Sequence, residues 1–421
     1  MVRARTINVR DLRKSNRSRV LGELYMHGPM TRQEVGTAAE VSAATISNLV
    51  GELIAQGVVI EAGSEESEGG RPRALLEVNG AYGQVIGVDV GETGVLVELF
   101  DLRLHPLASH ISEPTSGGRD VDEVVGQILD GLRQVIDQTG VARESIIGVG
   151  VGVPGLVEHG PDAVVHAQAV GWDAVPLGRL LRAGTDLPLV IDNGAKALGQ
   201  AENWFGAARD VDNAIILLLG GGIGAAIITD GDLYRGSSSS AGEWGHTTVD
   251  VNGRLCRCGA SGCLEAYVGA GSVAARYSEL RGEPEPVTEH GIVDVIQAIG
   301  SAGPGDRAAA QVLDETATYL GTGIADLINL FNPQRIVVGG WMGAVLVDTM
   351  LPRMREVASQ HALRFPFGHV DIVPAELGRD AVALGAATLP INRFLATGAV
   401  PMQTKPIDRQ RRRMPAADRR D

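Results

Sequence analysis

Lysine is scarce in this 421-residue chain, which contains only Lys14, Lys196 and Lys405, so arginine supplies nearly all of the positive charge. Aromatic residues account for 4% of the chain whereas 56 residues are glycine, and this combination indicates many tight backbone turns. Acidic residues outnumber basic ones, and the formal net charge is −14. This balance excludes a protein that coats nucleic acid along its whole surface.

Long apolar segments are also missing. The longest apolar stretch, residues 214–228, is interrupted by glycines and falls short of the roughly 20 residues needed to cross a bilayer. No apolar segment follows the basic residues near the N-terminus, so the sequence predicts no signal peptide and a cytoplasmic protein without a membrane partner. The three cysteines all lie within residues 256–263, a spacing that suits a metal cluster better than a disulfide framework.

Basic residues are concentrated at the N-terminus. The first 19 residues contain one acid, Asp11, and seven basic residues: Arg3, Arg5, Arg10, Arg13, Lys14, Arg17 and Arg19. A basic arm on an acidic body indicates DNA contact confined to one end of the molecule, the alternative being an unstructured solubilising segment. The chain is too long for one compact core and predicts two or three folding units.

The residues after this arm have the pattern of a helix-turn-helix. An apolar helix that stops at Gly28 is followed by Thr31 and Glu34, whose spacing predicts a capping box at the start of a short helix. Ser42 is predicted to cap a longer second helix that ends at Gly57. Two helices joined by a short turn, the second with small polar residues in its first turns, are typical of a DNA reader.

The second helix and the strand pair after it supply candidate DNA contacts. Short side chains in the first turns of the helix can approach base edges, and they belong to Ser42, Ala44, Thr45, Ser47 and Asn48. The strand pair predicts a wing whose tip carries Arg71 and Arg73, which suit a narrow minor groove. The alternative is a small helical domain that serves only for dimerisation.

From residue 84 onward, strands punctuated by glycine replace the helical pattern. Residues 84–102 and 213–231 each read as a strand, a glycine turn and a second strand, and 335–343 adds a late Gly-Gly loop. These elements predict duplicated α/β lobes that close on a nucleotide cleft.

The patterns divide the chain into three parts. Residues 1–82 are predicted to form the basic arm and a winged helix-turn-helix, and residues 83–395 a two-lobed, actin-like (ribonuclease H-like) α/β body. The small lobe is expected at about 83–195 together with the C-terminal helix, and the large lobe at about 196–384. Residues 396–421 lack periodicity and predict a disordered basic tail.

The segment from Gly242 to Glu265, GEWGHTTVDVNGRLCRCGASGCLE, carries the most specific pattern. An E-x-G-H element is followed by C-x-C-G-x-x-G-C-x-E, and on these motifs the chain resembles the ROK family (repressors, open reading frames and kinases) over essentially its whole length. Within that family it is similar to the transcriptional-regulator branch of xylose- and N-acetylglucosamine-type repressors. The resemblance implies a sugar-kinase-like fold for the body.

Three thiolates and one imidazole in this segment form a donor set that suits Zn²⁺: His246, Cys256, Cys258 and Cys263. A closed tetrahedral site of this kind is structural, because no position is left for water. The alternative is a group of reduced cysteines buried without a metal.

The resemblance also implies a sugar pocket. Glu243, His246 and Glu265 match positions that hold sugar hydroxyls in ROK kinases. In those kinases a strand-to-helix segment carries an Asn followed by an Asp, and the Asp is the general base. The matching segment here, IDNGAKALGQAE, keeps Asn193 but has Gly194 at the position of the base.

Glycine cannot accept a proton, so the resemblance implies a protein without kinase activity, with Asp192 as the alternative base. Two further departures agree with this expectation. The first phosphate loop, residues 89–94, contains Glu92, which repels phosphate, and lacks the lysine of the family pattern. Ala169 stands where the family places a sugar-binding Asn. ATP is therefore not expected as a cofactor.

Together these patterns predict a transcriptional regulator that represses carbohydrate uptake or catabolism genes. A sugar or sugar derivative in an inactive kinase cleft would control its binding to DNA. A homodimer or homotetramer would bind an operator with an inverted repeat. Two alternatives stay open: an ATP-dependent sugar kinase fused to a DNA-binding domain, and a regulator controlled by a protein partner with no sugar ligand.

Overall fold

The computed structural model describes residues 9–65, 72–91, 94–113, 120–160, 162–378 and 380–400. An N-terminal unit of three helices and a small sheet is followed by an α/β body of two lobes. This arrangement confirms the predicted fold class.

The N-terminal unit is a winged helix. Its elements are α1 (Val9–His27), β1 (Met30–Thr31), α2 (Arg32–Ala38), α3 (Ala43–Ala55), β2 (Val59–Glu65) and β3 (Arg73–Val78). The strands form an antiparallel sheet in the order β1-β3-β2. The sequence did not predict β1, because a strand of two residues shows no periodicity.

Side-chain caps start both helices of the helix-turn-helix. Thr31 and Glu34 form the predicted capping box, in which the Glu34 N–H donates to Thr31 Oγ1 at 3.3 Å and the Thr31 N–H donates to the Glu34 carboxylate at 2.7 Å. Ser42 caps α3 by accepting the Thr45 N–H at 3.4 Å. These caps satisfy N–H groups that have no partner within the helix, and they fix where α2 and α3 begin.

Much of the predicted basic arm is part of α1, which begins at Val9. Arg17 is directed inward: its side chain is 13% exposed, lies 3.8 Å from the Glu52 carboxylate and donates to the Gly398 carbonyl. Arg13 forms an ion pair with the same carboxylate. Two of the basic residues assigned to the arm therefore stabilise the winged helix, which sequence spacing alone did not reveal. Residues 1–8 lie outside the described ranges.

The body contains two five-stranded sheets. Their strands, with three short strands between them, are β4 (Gln84–Gly91), β5 (Gly94–Asp101), β6 (Pro106–Ser112), β7 (Ile146–Val153), β8 (Leu156–Glu158), β9 (Val164–Ala167), β10 (Trp172–Pro176), β11 (Leu189–Asn193), β12 (Ala214–Leu219), β13 (Ile223–Thr229), β14 (Asp232–Tyr234), β15 (Arg335–Gly339) and β16 (Asp371–Pro374). The small-lobe sheet has the order β11-β7-β4-β5-β6 and the large-lobe sheet β14-β13-β12-β15-β16. In each sheet a three-stranded antiparallel meander is extended by two parallel strands, so the lobes share one topology.

Helices cover both sheets. They are α4 (Val121–Thr139), α5 (Leu177–Gly184), α6 (Gly194–Phe205), α7 (Glu265–Val268), α8 (Ala270–Arg281), α9 (Glu289–Gly300), α10 (Arg307–Phe331), α11 (Trp341–His361), α12 (Arg364–Phe367) and α13 (Ala381–Ala396). Because helices lie over the parallel strands, β7 is buried along its whole length, which explains its uninterrupted apolar and glycine sequence. No helix within the described ranges is both long and apolar enough to cross a membrane.

Two helices cross between the lobes. The small-lobe strand β11 leads into α6, which packs on β12 and β13 of the large lobe, whereas α13 follows β16 and packs on β4 and β7 of the small lobe. The two helices touch each other where a Cβ on Gly385 would lie 1.9 Å from the Ala197 carbonyl oxygen. A Cβ on Gly87 or Gly150 would lie 1.9 or 1.7 Å from carbonyl oxygens of α13. Only glycine permits such close backbone approach.

The core of the winged helix continues into the body. Val20 and Leu21 of α1 belong to the same buried cluster as Phe100 of β5 and as Phe394 and Leu395 at the end of α13. The N-terminal unit is therefore not an independently packed domain, because it shares an apolar core with the small lobe.

The first residues assigned to a disordered tail, 396–400, are instead packed against the rest of the protein. Ala399 is 5% exposed, its N–H donates to the Phe394 carbonyl at 2.9 Å, and the neighbouring Gly398 carbonyl accepts from Arg17. Residues 397–400 are thus packed against α1 and α13, because this turn completes the apolar cluster. Residues 401–421 lie outside the described ranges.

We expect Gly150→Ala to destabilise the fold strongly. The added Cβ would lie 1.7 Å from the Ala386 carbonyl oxygen, and overpacking of this kind costs about 3 kcal/mol because α13 must shift. Gly126→Ala in α4 is the matched control: nothing lies within 4 Å of its Cβ, and helix propensity predicts a gain of about 0.5–1 kcal/mol. Thermal unfolding measures both, and equal melting temperatures would contradict the close packing of α13.

Candidate functional site

A cleft of about 1380 Å³ separates the two lobes. Its small-lobe wall comes from the carboxyl ends of β4, β7 and β11, and its large-lobe wall from the glycine loop 220–222 and the start of α11. Strand ends of this kind are the usual position of ligand sites in α/β proteins. Seven residues singled out in the sequence line the cleft: Asn193, Gly194, Glu243, His246, Cys256, Cys258 and Glu265. Asp89, at the start of the first phosphate loop, lines it as well.

Asn193 is held in place at the start of α6. Its side-chain oxygen accepts the Lys196 N–H at 3.1 Å and its side-chain nitrogen donates to the Gly155 carbonyl at 2.7 Å. The residue therefore caps the helix and ties it to the small-lobe wall. Next to it, a Cβ on Gly194 would find its nearest neighbours 3.6 Å away. The fold leaves space for a side chain there, so packing does not demand glycine.

Asp192 is occupied by structural bonds and does not face the cleft as a base. Its carboxylate is 2% exposed, forms an ion pair with Arg235 and accepts the Asn193 N–H at 2.9 Å. His159 Nε2 lies 3.7 Å from Asp192 Oδ1, the oxygen that accepts the Asn193 N–H. Asp192 is not among the residues that line the cleft.

Glu265 is also bonded within the protein. One carboxylate oxygen accepts the Ile223 N–H at 2.9 Å and the other accepts from Arg257 at 3.3 Å. Arg257 donates as well to the Gly221 carbonyl and so links the cysteine loop to the glycine loop. Sequence reasoning missed Arg257, although its place between two cysteines could have drawn attention to it.

Glu243 lies beside a buried cation. Burial raises the pKa of Glu243, while Lys196 and His246 lower it. Lys196 is 2% exposed, and burial lowers its pKa against the opposing effect of Asp192 and Glu243. The sequence analysis overlooked Lys196, although the scarcity of lysine was a signal for it.

The predicted metal ligands come together on one loop. The ligand atoms of His246, Cys256, Cys258 and Cys263 all lie within 4.8 Å of one another, so the group could hold a metal ion. His246 Nδ1 is 3.7 Å from Cys256 Sγ, and Cys258 Sγ is 3.8 Å from Cys263 Sγ. A tight turn places the cysteines, because the Gly259 N–H donates to the Cys256 carbonyl at 2.9 Å.

The chemistry of this group fits a divalent cation. Burial and the two neighbouring thiols raise the pKa of Cys263 to about 12. Three thiolates do not coexist at such short distances without positive charge between them, and three sulfurs with one imidazole are a donor set typical of zinc.

The predicted DNA-reading side chains lie at the start of α3. Ser42, Ala44, Ser47 and Asn48 are exposed. Thr45 is half-buried, and its hydroxyl lies 2.9 Å from that of Ser42. The opposite face of α3 is buried in the winged-helix core, so these side chains form one solvent-facing surface.

The remaining predicted site residues are Arg71, Arg73, Glu92 and Ala169. Arg71 at the wing tip and Glu92 in the first phosphate loop lie outside the described residues, whereas Arg73 is exposed at the start of β3. Ala169 lies in a short turn, Gln168–Val170, whose first residue lines the cleft.

Comparison with known proteins identifies the family of the chain. Residues 85–393 match the ROK family and residues 14–70 match the MarR family. The chain belongs to the ROK family. The putative xylose repressor of Caldicellulosiruptor sp. (strain Rt8B.4) is 32% identical over 91% of this chain and 97% of its own length. The transcriptional dual regulator NagC of Escherichia coli K12 is 27% identical over 93% and 95%.

A solved structure supports the same relationship. The crystal structure of a ROK family transcriptional regulator, a homolog of the E. coli MLC protein, is 25% identical, covers 92% of this chain and 98% of its own, and has a TM-score of 0.75. These similarities include both the winged helix and the body. The resemblance to ROK transcriptional regulators predicted from the sequence is therefore confirmed.

A carboxylate near the cleft titrates in an unusual range. Glu98 on β5 is half-buried, and burial together with Asp380 and Asp89 raises its pKa to about 7. Below that pH the protonated carboxyl avoids repulsion from its two neighbours.

We expect Glu98 to make stability depend on pH. Its pKa rises from 4.5 to about 7 on folding, so its stabilising contribution is complete below pH 4.5 and is lost as pH rises through 7. Glu98→Gln imitates the protonated form, so its melting temperature should fall less between about pH 5 and 8 than that of the wild type. Glu144→Gln, which removes an exposed carboxylate of the same lobe, is the control. Parallel pH curves for the wild type and Glu98→Gln would contradict this assignment.

Proposed function

We propose that this protein is a DNA-binding transcriptional repressor of carbohydrate uptake or catabolism genes, controlled by a sugar or sugar derivative in the cleft. The observation that carries the proposal is the joining of an exposed reading helix to a kinase-like cleft that has glycine at position 194. Full-length similarity to sugar-responsive regulators supports it. The protein acts in the cytoplasm, where its DNA lies.

In this proposal α3 lies in the major groove of DNA. The side chains at its start contact base edges, and they belong to Ser42, Ala44, Thr45, Ser47 and Asn48. Two arginines of the predicted wing, Arg71 and Arg73, enter the adjacent minor groove. A homodimer or homotetramer places two such helices on an operator with an inverted repeat.

The sugar site lies between the two walls of the cleft. Glu243, His246 and Glu265 supply hydrogen bonds to hydroxyls, and Asn193 contributes from the start of α6. Because Glu265 is bonded to Arg257, a sugar must share or replace that contact, and this exchange makes binding selective.

The cleft binds without phosphorylating. Gly194 offers no base, Asp192 is bonded to Arg235, and the family lysine of the first phosphate loop is absent. Phosphoryl transfer needs both a positioned base and cationic support for the transferred group. ATP is therefore not a cofactor in this proposal, and the rival hypothesis of an active sugar kinase has no residue to carry the proton.

A structural Zn²⁺ held by His246, Cys256, Cys258 and Cys263 completes the proposal. The bound ion supplies positive charge that keeps three thiolates on one loop. His246 is oriented toward the cleft wall by this role, and Arg257 is held between two ligand cysteines where it reaches Gly221.

The operator test uses full-length, zinc-loaded protein and fragments of the source genome at about 0.15 M salt. We expect the protein to recover a few sites that share an inverted repeat. Asn48→Ala should weaken the affinity for these sites roughly 5- to 100-fold, because one base contact is lost. Asn329→Ala, on α10 of the large lobe, is the control. D-xylose and N-acetylglucosamine are then added to test release.

Sequence-independent binding that only follows salt concentration would contradict the repressor proposal. ADP release on a panel of sugars with ATP would favour the kinase alternative. Operator binding without a response to any sugar would favour control by a protein partner.

Metal analysis tests the zinc proposal. We expect roughly one zinc per chain, and a chelator should lower the melting temperature because the loop loses its cross-link. Cys258→Ser should lose zinc, whereas Ser261→Ala on the same loop should retain it. The zinc assignment would be contradicted if the purified wild type contained no metal and its melting temperature did not change in chelator.

A further inference from the structure

Two pairs of aromatic rings join the winged helix to the body. Tyr82, at the end of the winged-helix unit, lies against Phe394 of α13 with ring centroids 5.8 Å apart. Tyr25 of α1 meets Trp204 of α6 edge to face, also at 5.8 Å. The two pairs attach to different lobes, because α13 packs on the small-lobe sheet and α6 on the large-lobe sheet.

The attachment to the small lobe is extensive. Leu21 shares a buried cluster with Phe100 of β5 and Phe394 of α13, and Arg17 donates to the Gly398 carbonyl beyond α13. We therefore expect the winged helix to move together with the small lobe and α13 as one body.

The contact with α6 connects the winged helix to the cleft through the other lobe. Gly194, the first residue of α6, lines the cleft, while Trp204 and Phe205 at its last turn pack against the winged-helix core. A Cβ on Gly199 would lie 2.1 Å from the Ala226 Cβ of β13, so α6 is fixed closely to the large lobe. A 12-residue helix is stiff over its length of roughly 18 Å, and a shift at its start reaches its end.

The hydroxyl of Tyr25, beside this contact, lacks a hydrogen bond within the described residues. This hydroxyl is buried, and burial raises the pKa of Tyr25. A buried phenol without a partner costs free energy. A movement of Trp204 that exposed this hydroxyl would remove the cost, so the contact is suited to two alternative positions.

We propose that the Tyr25–Trp204 contact transmits the relative position of the two lobes to the winged helix. The inference rests on the proposed function, in which a sugar in the cleft changes lobe closure. When the large lobe moves, α6 pivots about its contact with α13 at Gly385, near its first turn, so Trp204 at its far end shifts against Tyr25 while α1 stays with the small lobe. The tilt of α1, and of α3 packed beside it, then changes. Both rings are positioning residues and touch neither sugar nor DNA.

An ion pair between the lobes offers a way to perturb closure without a ligand. Asp192 lies at the end of β11 in the small-lobe sheet, and Arg235 follows β14 of the large-lobe sheet. Arg235→Gln weakens this link and does not alter a residue that lines the cleft. It therefore serves as a change of lobe position that is independent of sugar.

Hydrogen exchange of the full-length, zinc-loaded protein tests the inference. We expect Arg235→Gln to speed exchange of the amides in residues 20–27 of α1 by roughly threefold or more, because the packing of α1 against α6 loosens. In a Trp204→Leu background the same change should have an effect below about 1.5-fold, since the contact that transmits it is gone. Melting temperatures verify that each variant is folded, and Tyr25→Leu, which removes the other ring of the contact, replaces Trp204→Leu if that variant is not.

Tyr82→Leu is the matched control, because it removes a ring from the other aromatic pair between the winged helix and the body, the one on the small-lobe side. The effect of Arg235→Gln on α1 should persist in that background. An effect of equal size with and without Trp204 would overturn the inference, as would an α1 that exchanges at the wild-type rate in Arg235→Gln.

Operator affinity gives a second measurement where the proposed function holds. D-xylose or N-acetylglucosamine should change the operator Kd of the wild type and of Tyr82→Leu by about tenfold, and that of Trp204→Leu by less than about twofold. Thermal stabilisation by the sugar should be the same in all three. If neither sugar affects the wild type, the effector proposal fails for these sugars, while the exchange result still decides whether lobe position reaches α1.

Discussion

The backbone contact between α6 and α13 is the constraint on which the rest of the structure depends. Gly385 lets the two helices touch, and Gly150 lets α13 lie directly on the small-lobe sheet. Each helix leaves one lobe and packs on the other, so the lobes are joined by a crossed pair rather than by a loose linker. The crossing also sets where the cleft opens, because the first residues of both helices form part of its wall. The winged helix is then built on the far ends of the same two helices.

The polar groups of the cleft are largely satisfied by the protein itself. Asn193 bonds to Gly155, and Glu265 bonds to Ile223 and Arg257. A buried polar group without a partner would destabilise the empty cleft, so these internal bonds make the unliganded state tolerable. They also mean that a ligand must compete with the protein for the same groups.

Features encoded by neighbouring residues were predictable from the sequence, and features made by distant residues were not. The capping box of Thr31 and Glu34 and the cluster around Cys256 depend on short spacings, so reading them required no tertiary structure. Sequence reasoning assigned Arg17 to a basic arm for DNA contact because its partner, the Gly398 carbonyl, lies far along the chain. Arg257 was missed for a related reason, since its role depends on a glycine loop that folds back beside it. Amphipathic spacing identifies buried faces but does not identify what covers them.

The shared core of the winged helix has a consequence for synthesis of the chain. Leu21 shares a buried cluster with Phe394 and Leu395, which are synthesised long after it. The winged helix is therefore made well before the residues that complete its core. A chain that stops before α13 leaves the apolar side of its winged helix exposed, and exposed apolar surface of this kind promotes aggregation.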